Sequence, residues 1–318
     1  MGRLRAGVIG VGNLGRHHAA KYAACRAVEL VGVADALEPR GREVAARHGC
    51  RAVRDYRELL SGVDLVSVAV PTDRHYEVAR ACLEAGVHVL VEKPIARTLE
   101  EADALIALAA QRGARLAVGH IERYNPAFAA LRGMLLRPLF VEAERLAQFQ
   151  PRGTEVDVVL DLMVHDIDLV LSMADSEIAA ISACGYKVIT DSIDIASARI
   201  EFADGSVANL SASRVSQAAV RKLRAFGRDM YASADLRGAR LRVVRRMDGA
   251  EIAAEERAFP DADALRDEID SFVAAVREGR EPEVPGADGR RALALGLEVG
   301  RLIAERLARL PAGTGARA

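Results

Sequence analysis

The sequence predicts an α/β fold in two parts: a doubly wound parallel sheet, then an α+β half built on a large, open, mainly antiparallel sheet. Three observations predict it. Over residues 1–122 short apolar runs alternate with helical stretches, the pattern of parallel strands joined by crossover helices. From Ile178 onward, strand-like runs follow one another with no helix between them. A glycine-spaced turn separates the first apolar run from the first helical stretch. The 318 residues, 51% of them hydrophobic, suit two domains, divided at 1–122 and 123–318.

In the first part, RAGVIG at 5–10 is a short strand entering Gly10, Gly12 and Gly15, with Asn13 and Leu14 completing the turn. A helical stretch follows, and a second strand, 28–34, ends at Asp35. G-x-G-x-x-G between strand and helix, with an acidic residue about 20 positions on, is a dinucleotide-binding fingerprint. The glycines allow the tight turn, close approach to a pyrophosphate and close helix–strand packing, and the helix N-terminus offers free N–H groups. Asp35 would accept the ribose hydroxyls and repel a 2′-phosphate, which favours NAD over NADP; Arg40 nearby leaves that preference open. A glycine-rich turn with no ligand is the alternative.

Glu38–His48 and Asp55–Leu60 read as helices, and Leu65–Val70 as a buried strand. Pro71, Thr72 and His75 lie in the turn to the next helix. Strand Val87–Val91 runs into Glu92-Lys93-Pro94. Thr98 and Glu101 form a capping box for a helix ending at Gly113, and Arg115–Gly119 is the last strand, before His120. Ligands of such sheets sit at the carboxyl ends of the strands, so Gly10, Asp35, Pro71, Glu92 and His120 line one edge. Lys93 shares that edge, where a functional lysine outweighs a solvated one.

In the second part, His120–Pro126 is polar and turn-prone, a short helix runs to Arg132, and Leu139–Phe149 is strand-like. Asp157–Met173 then reads as a helix buried almost all round. Its exceptions, Asp157, Asp161, His165 and Asp168, share one face, and Asp166 falls about a quarter turn off it. A structural network around a core histidine and a reactive site both fit that stripe. A divalent ion on Asp161, His165 and Asp168 is disfavoured by the absence of a nearby cysteine or second histidine. Strands at 178–189, 193–202 and 206–214 follow, with Asp204-Gly205 as a hairpin turn, then 223–226, 231–235 and 241–246. Neither face of 193–202 is uniformly polar, so a second copy of the sheet is its expected cover, in a homo-oligomer, dimer or tetramer. Helices at 263–278 and 289–308 close the chain, and the tail from Pro311 is expected to be disordered.

Charge is balanced, 44 basic against 45 acidic residues, so neither nucleic acid nor an anionic membrane surface is an expected partner. The four scattered cysteines lack metal spacing, no apolar run is long enough for a membrane span, and no signal peptide is expected ahead of the first strand. The expectation is a cytoplasmic enzyme.

These motifs resemble the Gfo/Idh/MocA oxidoreductase family: GVIGVGNLG at 7–15, Asp35, VPTDRH at 70–75, AGVHVLVEKPIA at 85–96 and DLMVHDID at 161–168. They span both parts of the chain in the family's order. The resemblance implies a Rossmann domain, an open-sheet α/β domain, an active site in the cleft between them, and NAD-dependent oxidation of a sugar or polyol hydroxyl. It assigns Lys93, Asp161 and His165 to catalysis and substrate contact, and Pro71, Thr72, His75 and Glu92 to the cofactor's surroundings. VGHIERYNPAF at 118–128 is similar to a branch that oxidises the 3-hydroxyl of UDP-N-acetylglucosamine; inositol, glucose or a uronate, or an NAD-dependent glycosidase, are the alternatives. A diphosphate sugar needs cations, for which Arg123 and Arg152 are candidates, and Tyr124 and Asn125 are candidates for reading sugar or uracil. His165 suits a general base, oriented by Asp161, with Lys93 beside the forming alkoxide. The reverse assignment, with Lys93 as base, stays open.

Overall fold

The structure, a computed structural model, describes residues 2–135, 137–150, 156–247 and 251–309. The expectations for Arg152 and for the tail from Pro311 lie outside the described residues. The chain forms two compact units, Met1–Tyr124 with Asp263–Leu293, and Asn125–Ala262 with Ala294–Ala318. The division read from sequence at 122/123 lies two residues before the Tyr124/Asn125 boundary, and Asp263–Leu293 returns to the first unit.

The first unit holds a six-stranded sheet in the order β3-β2-β1-β4-β5-β6. The strands are β1 (Leu4–Ile9), β2 (Val28–Ala34), β3 (Arg51–Val53), β4 (Leu65–Val68), β5 (His88–Glu92) and β6 (Leu116–Gly119). Every pairing is parallel. Their connections carry α1 (Gly15–Ala24), α2 (Glu38–His48), α3 (His75–Glu84) and α4 (Leu99–Arg112), with the stretch read as a helix at 55–60 forming a 3-10 turn, Tyr56–Gly62. The capping box is present: Thr98 Oγ1 accepts from the Glu101 N–H at 3.2 Å, and the Glu101 carboxylate accepts from the Arg97 N–H at 3.0 Å. Strand β3 was missed because three residues with one buried side chain leave no readable period.

Helix α7 (Ala264–Glu278) completes this unit. Its buried face, Ile269, Phe272 and Val273, joins Ala19 and Tyr22 of α1 and Val8 of β1 in one apolar cluster. Lys21 pairs with Asp263 at 2.5 Å beside it. Helix periodicity shows that such a face exists but not which sheet it covers, hence the different boundary.

The second unit carries an eight-stranded sheet in the order β14-β13-β12-β11-β7-β10-β9-β8. Its strands are β7 (Phe140–Leu146), β8 (Ile178–Tyr186), β9 (Ile195–Phe202), β10 (Val207–Ser213), β11 (Val220–Phe226), β12 (Met230–Asp235), β13 (Arg240–Arg246) and β14 (Ile252–Ala258). Only β10 with β7 pairs in parallel; the other pairings are antiparallel. At the hairpin, Gly205 takes φ 85° and the Ser206 N–H is held by Asp204 Oδ1 at 2.9 Å. Strand β14 is exposed along its whole length, so it lacks the alternation that marks a half-buried strand. Helices α5 (Pro126–Met134) and α6 (Val164–Met173) pack on one face of this sheet. On β9 that buried face is Ala196, Ala198, Ile200 and Phe202. The opposite face has Ile195, Ser197, Arg199 and Glu201 exposed, more polar than the sequence reading held. Across β7 and β11 the same outer face pairs Phe140 with Phe226, Glu142 with Arg224 and Leu146 with Val220. Helix α8 (Gly286–Ala308) carries residues of both units. Among the described residues no helix is long and apolar enough to cross a membrane.

Candidate active site

The first unit contains a cavity of about 830 Å³ at the carboxyl ends of β1, β2 and β4. Of the residues singled out from sequence, Gly10, Gly12, Asn13, Leu14, Asp35, Arg40 and Pro71 line it. Gly10 has φ 84°, and a Cβ there would lie 2.7 Å from the Ala69 carbonyl oxygen. At Gly15 a Cβ would lie 1.8 Å from the Gly10 carbonyl oxygen, so only glycine lets α1 start this close to the turn. At Gly12 the nearest atom is Arg40 Nη1 at 3.8 Å, leaving the backbone open to an incoming group. An open glycine backbone at the head of a ten-residue helix, above a cavity of this size, fits the pyrophosphate of a dinucleotide.

Asp35 is 4% exposed, and both of its oxygens are engaged. Oδ2 accepts from the Val11 N–H at 2.9 Å and Arg40 Nε at 2.9 Å; Oδ1 accepts from the Leu37 N–H at 2.8 Å and Arg40 Nη2 at 2.8 Å. Burial alone would raise this carboxyl, but the Arg40 and backbone hydrogen bonds outweigh it and hold it below its usual range. Asp35 is therefore a fixed anion with Arg40 clamped beside it at the cavity wall. Sequence reading missed Arg54, Tyr56, Arg57 and Arg74, which also line the cavity. Arg54, Tyr56 and Arg57 come from the turn after β3 and Arg74 from the turn after β4, so no single local spacing announces the set.

Thr72, His75, Glu92 and His120 are absent from that lining. His75 is 1% exposed and its ring spans two turns, with Nδ1 2.7 Å from the Pro94 carbonyl and Nε2 2.9 Å from the Val70 carbonyl. It clasps the Val70-Pro71 and Lys93-Pro94 loops together. Glu92 Oε1 lies 2.9 Å from His18 Nε2. Lys93 follows half-buried, joined to Pro94 by a cis peptide bond. His120 is buried at the end of β6.

Arg123, a candidate for the diphosphate, is buried and pairs with Asp288 at 3.1 Å. Tyr124 is half-buried, and burial, partly opposed by a hydrogen bond with Ser271, raises its hydroxyl well above the usual range. Asn125 caps α5: Oδ1 accepts from the Ala127 N–H at 3.1 Å, while Nδ2 donates to the Leu236 carbonyl at 2.8 Å.

In the second unit, the segment read as one α-helix from Asp157 starts with a π turn, Val159–Met163, before α6. The wide turn breaks the stripe. Asp157 Oδ1 caps the start, accepting from the Val159 and Leu160 N–H groups at 2.9 and 3.0 Å. Asp168 is 1% exposed. Asp166 makes a two-pronged ion pair with Arg145 of β7, at 3.0 and 2.8 Å, with both side chains buried. Asp161 and His165 are left partly exposed. These are the pair named from sequence, one from the π turn and one from α6, whose own carboxylates Asp166 and Asp168 are buried.

The profile described as "Oxidoreductase family, NAD-binding Rossmann fold" matches residues 4–120, and "GFO/IDH/MocA C-terminal domain" matches 139–232. The chain is 43% identical over 302 residues to the UDP-N-acetylglucosamine 3-dehydrogenase of Acidithiobacillus ferrooxidans, covering 93% of this chain and 96% of that protein. It belongs to the Gfo/Idh/MocA family of oxidoreductases. The solved structure of that Acidithiobacillus enzyme superposes with a TM-score of 0.91 over 96% of this chain and 100% of the other. The inositol 2-dehydrogenase of Rhizobium meliloti is 27% identical over 95% of this chain and 98% of its own length. A levoglucosan dehydrogenase solved with NADH and levoglucosan, 21% identical, shares the fold with a TM-score of 0.86. The first unit is thus an NAD-binding Rossmann domain, as the fingerprint indicated, and the second is the family's C-terminal domain.

Proposed function

We propose that this protein oxidises the 3-hydroxyl of UDP-N-acetylglucosamine to the 3-keto sugar, with NAD as cofactor. The observation that carries the reading is the 43% identity to an enzyme of that name, sustained over 93% of the chain and so through both units. The stretch VGHIERYNPAF at 118–128 supports the same branch.

Bound NAD would supply the acceptor for the hydride leaving the sugar carbon. The protein then has three tasks: to take the hydroxyl proton, to favour negative charge on the oxygen, and to hold the reactants in line. We assign the proton to His165, which is partly exposed, because an imidazole is the side chain suited to proton transfer at neutral pH. Asp161 precedes it by one turn and orients the ring. Lys93 supplies the positive charge beside the developing alkoxide. Gly10, Gly12 and the start of α1 hold the pyrophosphate, and the Asp35–Arg40 pair faces the ribose. With Arg123 engaged by Asp288, Arg152 is our candidate for the sugar-linked diphosphate. We further propose a homo-oligomer, dimer or tetramer, through the outer face of the eight-stranded sheet, where Phe140, Phe226 and Tyr231 cluster with ring centroids 5.8 and 4.9 Å apart. We place the enzyme in the cytoplasm, where NAD and nucleotide sugars are found.

The test is anaerobic mixing with NAD and UDP-N-acetylglucosamine, myo-inositol or glucose, reading NADH absorbance. A sustained rise with the nucleotide sugar is expected. A good rate with inositol and none with the nucleotide sugar would overturn the substrate assignment. Sugar cleavage with no net NADH would overturn the reaction.

A further inference from the structure

Behind the Glu92-Lys93-Pro94 turn, one carboxyl group has no hydrogen-bond partner. Glu268 lies on the buried face of α7, 1% exposed, and neither of its oxygens has a hydrogen-bond partner among the described residues. An ionised carboxylate in such a place is strongly unfavourable, and the group escapes by keeping its proton. Its polar neighbours come from several elements. Helix α1 supplies His18 and Tyr22, β5 ends in Glu92, and Tyr124 lies in the short turn after β6. The charges of Lys93 and His75 also favour the Glu92 anion. One ligand atom from each of His18, Glu92 and Glu268 lies within 4.8 Å of the other two.

The protons in this cluster can be placed. His18 Nδ1 is 3.0 Å from Ser67 Oγ, Tyr22 Oη is 3.0 Å from the same Oγ, and His18 Nε2 is 2.9 Å from Glu92 Oε1. A neutral His18 satisfies all three contacts. Tyr22 donates to Ser67, Ser67 donates to Nδ1, and the Nε2 proton goes to Glu92. Glu92 is then an anion with lone pairs to spare. Glu268, protonated, is the adjacent group with a proton and no acceptor. The opposite arrangement, an imidazolium between two carboxylates, leaves Glu268 charged and without a donor in the core.

We propose that Glu268 is a neutral carboxylic acid whose proton is shared with the Glu92 carboxylate, and that this acid–carboxylate pair positions the Glu92-Lys93-Pro94 turn. The pair carries one negative charge, which holds the His18 hydrogen bond and offsets Lys93. A side-chain rotation of Glu268 within the cluster closes the hydrogen bond. Environment divides the two carboxyls in the same sense: burial, with the nearby Glu92 charge, pushes Glu268 well up. Burial would also raise Glu92, but His18, Lys93 and His75 outweigh it and hold it low. Ionising Glu268 would set two carboxylates against each other and drive Glu92 off His18, loosening the turn that ends in Lys93. Glu268 is thus a positioning residue acting through Glu92. Only its kinetic consequence rests on the proposed role of Lys93; its protonation does not.

The experiment is infrared difference spectroscopy of the full-length protein at neutral pH, wild type against E268Q, with metal content measured on both. A protonated-carboxyl C=O band in the wild type that E268Q removes is expected. No such band, or a stoichiometric divalent metal that E268Q releases, would overturn the proposal. Kinetics test the positioning half: E268A should lower kcat about tenfold or more, and the conservative E268Q should restore most of it. In E268Q the loss of activity toward high pH should move upward, because the amide cannot ionise. E268A and E268Q both matching wild type in kcat and pH profile would overturn positioning. A band present in a protein inactive on UDP-N-acetylglucosamine would support the acid pair and count against the substrate assignment alone.

Discussion

Removing one member of the Arg145–Asp166 pair should destabilise the second unit far more than removing both. The two side chains are 4% and 2% exposed and joined by two hydrogen bonds, so either one left alone is a buried charge without its main counter-ion. Truncating one partner of such a pair costs about 3–5 kcal/mol, whereas replacing both with apolar groups of similar volume is often neutral. At about 2–4 °C per kcal/mol for a unit of this size, Arg145→Met or Asp166→Leu should lower the melting temperature by roughly 6–20 °C. The double variant should recover much of that, to within about 2 kcal/mol of wild type, a coupling of at least about 4 kcal/mol in the cycle. The assay is thermal and urea unfolding of the four proteins at neutral pH. Because the pair fastens α6 to β7, turnover should also fall in the single variants while NAD affinity, a property of the first unit, holds. Single variants within about 1 kcal/mol of wild type, or a double variant whose loss equals the sum of the singles, would refute the reasoning.

Three further outcomes are expected. His165→Ala should lower turnover about 10²–10⁴-fold with NAD affinity retained, read by steady-state kinetics and a cofactor titration; unchanged turnover removes it as the base. Gly15→Ala places a Cβ 1.8 Å from the Gly10 carbonyl, so the turn must open. That should destabilise the first unit by about 1–3 kcal/mol and weaken NAD binding at least tenfold, and unchanged binding by calorimetry would show that the turn is not the cradle. Asp194 takes three backbone N–H groups and the Thr190 hydroxyl on one buried carboxylate; burial opposes ionisation, but these bonds win and bring the group down to about 2. A depressed folded pKa gives stability that is present above the unfolded value and lost as pH falls through the folded one. Asp194→Asn should therefore cost about 2 kcal/mol at neutral pH, a gap that closes between about pH 4 and pH 2. A gap independent of pH over that window in urea unfolding would reject the ionised network.

Legibility in the sequence followed how local each feature is. Gly10, Gly12 and Asp35 were readable as neighbours on one cavity wall because a glycine turn and the strand after it are set by spacing along the chain. Arg54, Arg57 and Arg74 were not, since only the sheet's order brings their turns to one wall. On the second unit's helix the expected single α-helical stripe is interrupted. A single π turn, invisible to a 3.6-residue count, turned Asp157 into a cap and left Asp161 and His165 as the partly exposed pair. Arg123 and Asn125 were read as candidate substrate contacts with no sign of their partners, Asp288 and the Leu236 carbonyl, which lie more than a hundred residues downstream. Glu268 carried a readable signal: a carboxylate on a helix face otherwise made of Ile269, Phe272 and Val273.

The return of α7 to the first unit bears on how the chain is made. Ile269, Phe272 and Val273 close an apolar cluster whose other members, Val8, Ala19 and Tyr22, leave the ribosome first. At roughly 5–20 residues per second, that surface waits some 10–50 seconds for its last helix. During synthesis the cofactor domain therefore holds its strands with one flank bare, and the second unit has the chance to fold before the first is finished. Truncation after Tyr124 would leave that flank bare permanently, and the fragment should be prone to aggregation rather than a working NAD-binding domain.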